Sequence, residues 1–344
     1  MRYWNGSKNL SPQKSSVIVK IFTISTWKGN KVNILVADIG GTKSRFGIFS
    51  IGEQITLIGH TELSTHEYNQ FSSLIQALPK GLVKGLEINL AILGIAGPIV
   101  GNLAYPPHIS FEINVNEAIE LLGVSKVLLV NDMLLHAYAS LSPDPEAFYL
   151  VKKGEIQKGQ RGIFAPGTGF GQCGLVRLNN STYKAVLSEG GHSYFPFDQE
   201  EKDYMRFLWE ELKIEPTFDN VVSGPGFLRL YRFLRNSSIP PHKIGENLRV
   251  DREFRLWMAR LLGRASKHIA LTYLAIEGLY ISGGVVAKNP WILKEYGFLE
   301  EFLKSKAMVH LLEKIPIWVI KDELATLWGG AYYLKFGPFD VKEE

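Results

Sequence analysis

Cysteine is nearly absent: Cys173 is the only one in 344 residues. One thiol excludes an intrachain disulfide framework and a zinc site built from several cysteines. It fits a reducing compartment, and the cytoplasm is the expected location. Long apolar runs are also missing. The run VIVKIFTIS near the N-terminus is interrupted by Lys20, so it is too short and too broken to span a bilayer. No small-residue cleavage site follows a clean apolar core there, so this run is not expected to be a secretory signal. The formal glycosylation sequons NGS, NNS, NST and NSS therefore carry no weight.

Neither charge sign dominates. With 38 basic and 34 acidic residues the net charge is +4, too even for a nucleic-acid face, and no membrane or nucleic-acid partner is expected. No solenoid or propeller period is present. The P-loop pattern ending in Gly-Lys-Ser/Thr does not occur. G-x-G-x-x-G is matched formally at Gly169, Gly171 and Gly174, but LVRL follows it and reads as strand. A dinucleotide site needs that motif to open a helix, so the match is rejected.

What remains is an ordinary globular composition, 46% hydrophobic and 21% charged, in a chain long enough for two domains. Residues 1–31 read as an extension, with one added strand or an upstream start codon. Beyond them, 32–37, 45–50 and 54–62 read as strands and 67–78 as a helix. INLAILGIA is a buried strand, NEAIELLG a helix capped by Gly123, KVLLV a strand, and NDMLLHAYASL a helix. A second set begins near 160 with GIFAPGTGFGQCGLVRL, which reads as strand, glycine turn, strand. YKAVLSE follows as a further strand, then helices at 198–214 and 223–235. The longest helical signal is 251–276, where Phe254, Trp257, Leu261, Ala265, Ile269 and Tyr273 form one apolar face. GLYISGGVV is a strand running into a glycine turn, and ATLWGGAYYLKF a closing helix with a glycine pair inside. The class is α/β.

Glycine turns follow strands three times, near residues 40, 169 and 283. Backbone amides in such turns form an anion-holding concavity. The alternative is a plain hairpin, but three such turns in one chain favour phosphate. Asp38 supplies a hard oxygen that suits Mg²⁺ held through water. Thr42 and Thr168 are hydroxyl donors, and Lys43 and Arg45 are cations at hand; strand alternation leaves open whether both face the ligand. Asn131-Asp132 lies where a strand meets a helix, so a helix cap is one reading. The other makes Asp132 a general base for a sugar hydroxyl, with Asn131 orienting its neighbour. In SEGGHSYF, Glu189 and His192 suit hydroxyl recognition, and the glycines between them argue against a metal helix. His60, His66, His136 and His268 are isolated and read as packing or surface residues, and Cys173 as a small buried hydrophobe.

DIGGTKSRFGIF, GIAGPIVGN, LLVNDMLLHAYA, APGTGFGQCGLV, SEGGHSYFPF, VVSGPGFLRLYRFL and LYISGGVV occur in this order. Together they resemble the bacterial-type glucokinase family of the hexokinase–actin–Hsp70 superfamily, over roughly residues 33–335. The resemblance implies two ribonuclease-H-like (actin-like ATPase) domains around a cleft, at 32–142 plus 323–344 and at 143–322, that close on hexose and ATP. It implies Asp132 as catalytic base, and Asn131, Glu189, His192 and Asp219 as sugar ligands. The phosphate loops would be Asp38, Gly40, Gly41 and Thr42 with Lys43, and Gly167, Thr168, Gly169 and Gly171; Gly283 and Gly284 would form the adenosine turn.

Three departures stand out. Lys43 replaces the usual Asn, Asp219 stands where Glu is usual, and AYPPHISF replaces a more polar segment near the sugar. The cysteine-rich zinc motif of the related repressor–kinase family is missing, which selects the glucokinase branch. The expected activity is ATP-dependent phosphorylation of glucose at the 6-hydroxyl. The rivals are another hexose such as mannose or an amino sugar, a non-catalytic sugar-responsive regulator, and ADP or polyphosphate as donor. A homodimer is compatible with the sequence.

Overall fold

The computed structural model describes residues 31–83 and 85–339. Apart from Lys31, the N-terminal extension and its added strand lie outside the described residues. The first sheet contains β1 (Val32–Ile39), β2 (Lys43–Ile51), β3 (Ile55–Ser64) and β4 (Leu90–Ile95). A small three-stranded sheet follows, of β5 (Ile99–Val100), β6 (Leu103–Ala104) and β7 (Ile113–Asn114). The first sheet is then completed by β8 (Val127–Asn131), in the order β3-β2-β1-β4-β8. The second sheet contains β9 (Phe148–Lys152), β10 (Gln160–Pro166), β11 (Phe170–Arg177), β12 (Tyr183–Ser188), β13 (Gly278–Ile281) and β14 (Ile317–Ile320). Its order is β12-β11-β10-β13-β14-β9.

Both sheets follow one plan. Three antiparallel strands joined by turns are extended by two strands parallel to the first of the three. β9 is added antiparallel at the edge of the second sheet. Parallel strands need crossover segments that cover the sheet faces, so their residues read as continuous apolar runs. β4, LAILGI, is buried at every position. The glycine turns between β1 and β2 and between β10 and β11 therefore occupy equivalent places at the ends of the two leading strands.

The helices differ from expectation in detail. The expected helix at 67–78 is split into a 3-10 turn, Thr65–Glu67, and a helix, Phe71–Gln76, with Tyr68 and Gln70 extended between them. The helix expected at 198–214 opens as a 3-10 turn capped by Asp198, and its α-helical part, Lys202–Leu212, ends at Lys213 in the left-handed region. The long helix covers Arg252–Thr272, and Leu274 at φ 47° prevents its continuation to 276. Its expected apolar face is buried except for half-buried Trp257. Gly283-Gly284 opens a short helix, Gly284–Lys288.

The glycine pair in the closing helix Ala325–Phe336 has a packing reason. A Cβ on Gly329 would fall 1.9 Å from the Leu135 carbonyl oxygen, and one on Gly330 2.3 Å from Val36 Cγ1. The closing helix thus lies tightly against both the helix Asp132–Ala139 and β1. That contact carries Thr326 to the end of β1, where the site begins.

Candidate active site

The β1–β2 turn is closed by Gly40 N–H donating to the Lys43 carbonyl at 3.1 Å. A Cβ on Gly41 would lie 2.7 Å from His108 Cβ, so only glycine lets the segment at 108 approach. In the β10–β11 turn, Gly167 N–H donates to the Gly169 carbonyl and Gly224 N–H to the Gly167 carbonyl, both at 2.8 Å. The third turn depends on Gly283 at φ +96°, where a Cβ would meet the Pro166 carbonyl oxygen at 2.5 Å.

These turns converge on one cleft of about 560 Å³. Asp38, Gly40, Gly41, Thr42, Lys43, Gly167, Thr168, Gly283 and Gly284 all line it. Gly169 and Gly171 do not line it, and instead permit close backing. A Cβ on Gly169 would lie 2.7 Å from Asp219 Oδ1, and one on Gly171 2.4 Å from Met133 Sδ.

Asp38 accepts a hydrogen bond from Thr326 Oγ1 at 2.7 Å and has Arg45 Nη1 at 3.9 Å. Lys43 and Arg45 lie two residues apart and therefore share one strand face. Both are engaged by Glu62: Lys43 Nζ donates to Oε1, and Arg45 Nε to Oε2 at 2.9 Å. The register pairs Arg45 with Asp38 on one side and Glu62 on the other, which makes a charge ladder of alternating sign at the cleft wall. Lys43 first, then Arg45, holds the Glu62 carboxyl below its ordinary range against the opposing effect of burial.

Asn131 caps the helix Asp132–Ala139, its Oδ1 accepting from Met133 N at 3.0 Å. The cap reading of Asn131 is realised, and its amide Nδ2 remains a donor. Asp132 Oδ1 accepts from the same Met133 N–H at 2.9 Å. The Asp132 carboxyl is pushed up to about 7, first by burial, then by the Asp38 charge and more weakly by Glu189, with the Met133 N–H opposing. Asp132 thus feels an acid from the glycine-turn cleft and another from the groove beyond.

That groove, of about 450 Å³, is lined by Asn131 and Glu189. Glu189 Oε2 and His192 Nε2 lie 4.0 Å apart, with side chains 75% and 70% exposed. Ser188 Oγ, accepting from Gly190 N at 2.9 Å, fixes the start of their turn. Asp219, expected beside them, is not in the groove lining. Its Oδ1 accepts from Phe170 N at 2.8 Å and steadies the second glycine turn, leaving Oδ2 for another partner.

Several residues were not legible as site residues. Glu62 and Thr326 reach the cleft through register and helix packing, and Lys288, Lys321 and Asp322 line its far side. His136, expected as a packing or surface residue, lines the cleft one helical turn after Asp132. Burial keeps its pKa low, and its buried Nδ1 has no partner. Cys173 is buried, as expected, with its thiol donating to the Met133 carbonyl.

Asp132 lines neither recess itself, but its helix neighbours do, His136 the glycine-turn cleft and Asn131 the groove. The chain belongs to the Glucokinase family, whose model matches residues 35–336. It is 28% identical over 315 residues to a glucokinase of Saccharophagus degradans, covering 87% of this chain and 97% of that one. A glucokinase structure from an Antarctic psychrotroph superposes with a TM-score of 0.75 at 24% identity, covering 88% of this chain and 98% of that chain. The glucokinase of Balamuthia mandrillaris in complex with glucose superposes with a TM-score of 0.76 at 18% identity, covering 89% and 94%.

Proposed function

We propose that the chain transfers the γ-phosphoryl group of ATP to the 6-hydroxyl of glucose, giving glucose 6-phosphate and ADP. The observation that carries this reading is Asp132, raised to about 7 by burial and by an acid of each recess, Asp38 of the cleft and Glu189 of the groove. As the sugar O6 forms its bond to the γ-phosphorus, the Asp132 carboxylate takes the hydroxyl proton, and the bond from phosphorus to the β-phosphate oxygen breaks. Asn131 Nδ2 donates to a neighbouring hydroxyl, and Glu189 and His192 hold further hydroxyls. Backbone amides of Gly40–Thr42 and Gly167–Gly169, with the Thr42 and Thr168 hydroxyls, receive the phosphates, and Gly283-Gly284 the adenosine.

Among the described residues no group of three or more His, Cys, Asp or Glu side chains is placed to hold a metal ion. A single carboxylate at the cleft still fits Mg²⁺, which takes one or two carboxylates, keeps several waters and shares phosphate oxygens. Asp38, with Oδ2 tied to Thr326, has Oδ1 for such a water. Bound there, Mg²⁺ neutralises charge on the phosphates. Glu189 and His192 are too exposed to hold sugar alone, so we assign closure to residues 32–142 with 323–344 moving against 143–322, excluding water. Cytoplasmic location and a homodimer belong to the same reading.

The test is ADP release from Mg·ATP by the full chain across a panel of hexoses with a no-sugar blank. Turnover fastest with glucose supports the reading. Turnover fastest with another hexose changes the acceptor. Sugar binding without turnover, joined to salt-dependent DNA binding, replaces the kinase with a regulator.

A further inference from the structure

The groove that begins at Asn131 and Glu189 is polar only at that end. Ser188, beside Glu189, adds a hydroxyl at that end, and the other side chains of the walls are apolar: Pro98, Ile99, Leu129, Val130, Leu134 and Leu187. Leu187, next to the end of β12, is 46% exposed. Behind the groove, Tyr105-Pro106-Pro107 packs on Gly97, where a Cβ would lie 2.8 Å from Pro107 Cδ. Proline has no N–H, so neither Pro98 nor the two prolines behind it offers a backbone donor to a ligand. A bare hexose carries hydroxyls around its whole ring. A hydroxyl pressed on aliphatic side chains without a partner loses its hydration for nothing in return. The far part of this groove therefore suits alkyl or acyl carbon, and it is continuous with the residues assigned to the acceptor sugar.

We propose that the acceptor site takes, besides glucose, hexoses bearing a short apolar substituent, an N-acyl or O-alkyl chain, laid along the groove between Leu134 and Leu187. This rests on the phosphotransfer reading above for the placement of the sugar ring.

The test uses the full chain and two sugar series: 2-acylamino-2-deoxyglucoses from acetyl to butyryl, and 1-O-alkyl glucosides from methyl to propyl. Calorimetric titration reads affinity, and coupled ADP release reads turnover, each as a ratio to glucose in the same variant. In one series affinity is expected to rise about threefold to fourfold for each methylene buried. Leu187→Lys is expected to abolish that rise, while Leu187→Met retains it. Two flat series overturn the proposal. So does a change of oligomeric mass in L187K without chain-length dependence, which would mean that a second copy covers the groove. If affinity rises with chain length but no sugar is phosphorylated, the groove assignment stands and the kinase reading fails.

Discussion

An Asp132 carboxyl at about 7 makes a specific kinetic demand. At pH 6 about one-tenth of the enzyme carries the ionised base and at pH 8 about nine-tenths, so kcat/KM for the sugar climbs about tenfold over that interval. A carboxylate at its ordinary 3.8 would give a flat profile there. Asp38→Asn removes the second-largest cause of the rise and moves the acid limb to lower pH, whatever it does to the plateau. Asp132→Asn removes the limb and lowers turnover about 10²–10⁴-fold while sugar binding, read by calorimetry, persists. The same group predicts an opposite effect on stability. Its folded-state pKa lies above the unfolded value, so between about pH 4 and 7 the folded chain holds the proton more tightly than the unfolded chain. Stability from this group is lost as pH rises through that window, and the loss is complete above 7. A rise from 3.8 to about 7 corresponds to at most about 4 kcal/mol. D132N should therefore melt higher than the parent at pH 8 and match it near pH 4. A flat rate profile between pH 6 and 8, with D132N no more stable at pH 8, refutes the poised base.

Thr326→Val deletes the hydroxyl that donates to Asp38 Oδ2 and leaves a charged acceptor short of a partner, so kcat/KM for Mg·ATP should fall roughly tenfold to a hundredfold. Its Mg²⁺-dependence of nucleotide binding should weaken with it, and unchanged binding would detach Thr326 from the site. Gly283→Ala forces a side chain into φ +96° against the Pro166 carbonyl, so chemical denaturation should show a loss of about 1–3 kcal/mol and KM for ATP should rise. Glu62→Gln removes the charge that occupies Lys43 and Arg45, so nucleotide affinity should rise severalfold at low salt and the gain should fade as salt is added.

How much of this was legible depended on whether the signal was local. A glycine turn is written in consecutive residues because a Cβ is excluded there by the turn itself, so DIGGTK, APGTGFG and SGG could be read without knowing what surrounds them. Asn131-Asp132 was legible as a pair: the cap is made by Asn131, and Asp132 beside it is raised by burial and neighbouring acids. The register that sets Arg45 between Asp38 and Glu62 was not legible, because it depends on how β2 and β3 align after a bulge between Ile48 and Phe49. Thr326 reaches Asp38 across 288 residues only because Gly329 and Gly330 let the closing helix lie against Leu135 and Val36. The glycine pair was visible from the start, but what it admitted was not. For His136 the missing quantity was rotational: spacing places it one turn beyond Asp132, and only the packing of that helix decides that this face meets the cleft. Asp219 shows a contact that its motif did not announce: Oδ1 accepts from the Phe170 amide of the second glycine turn, while Oδ2 is left for the sugar contact the resemblance implies.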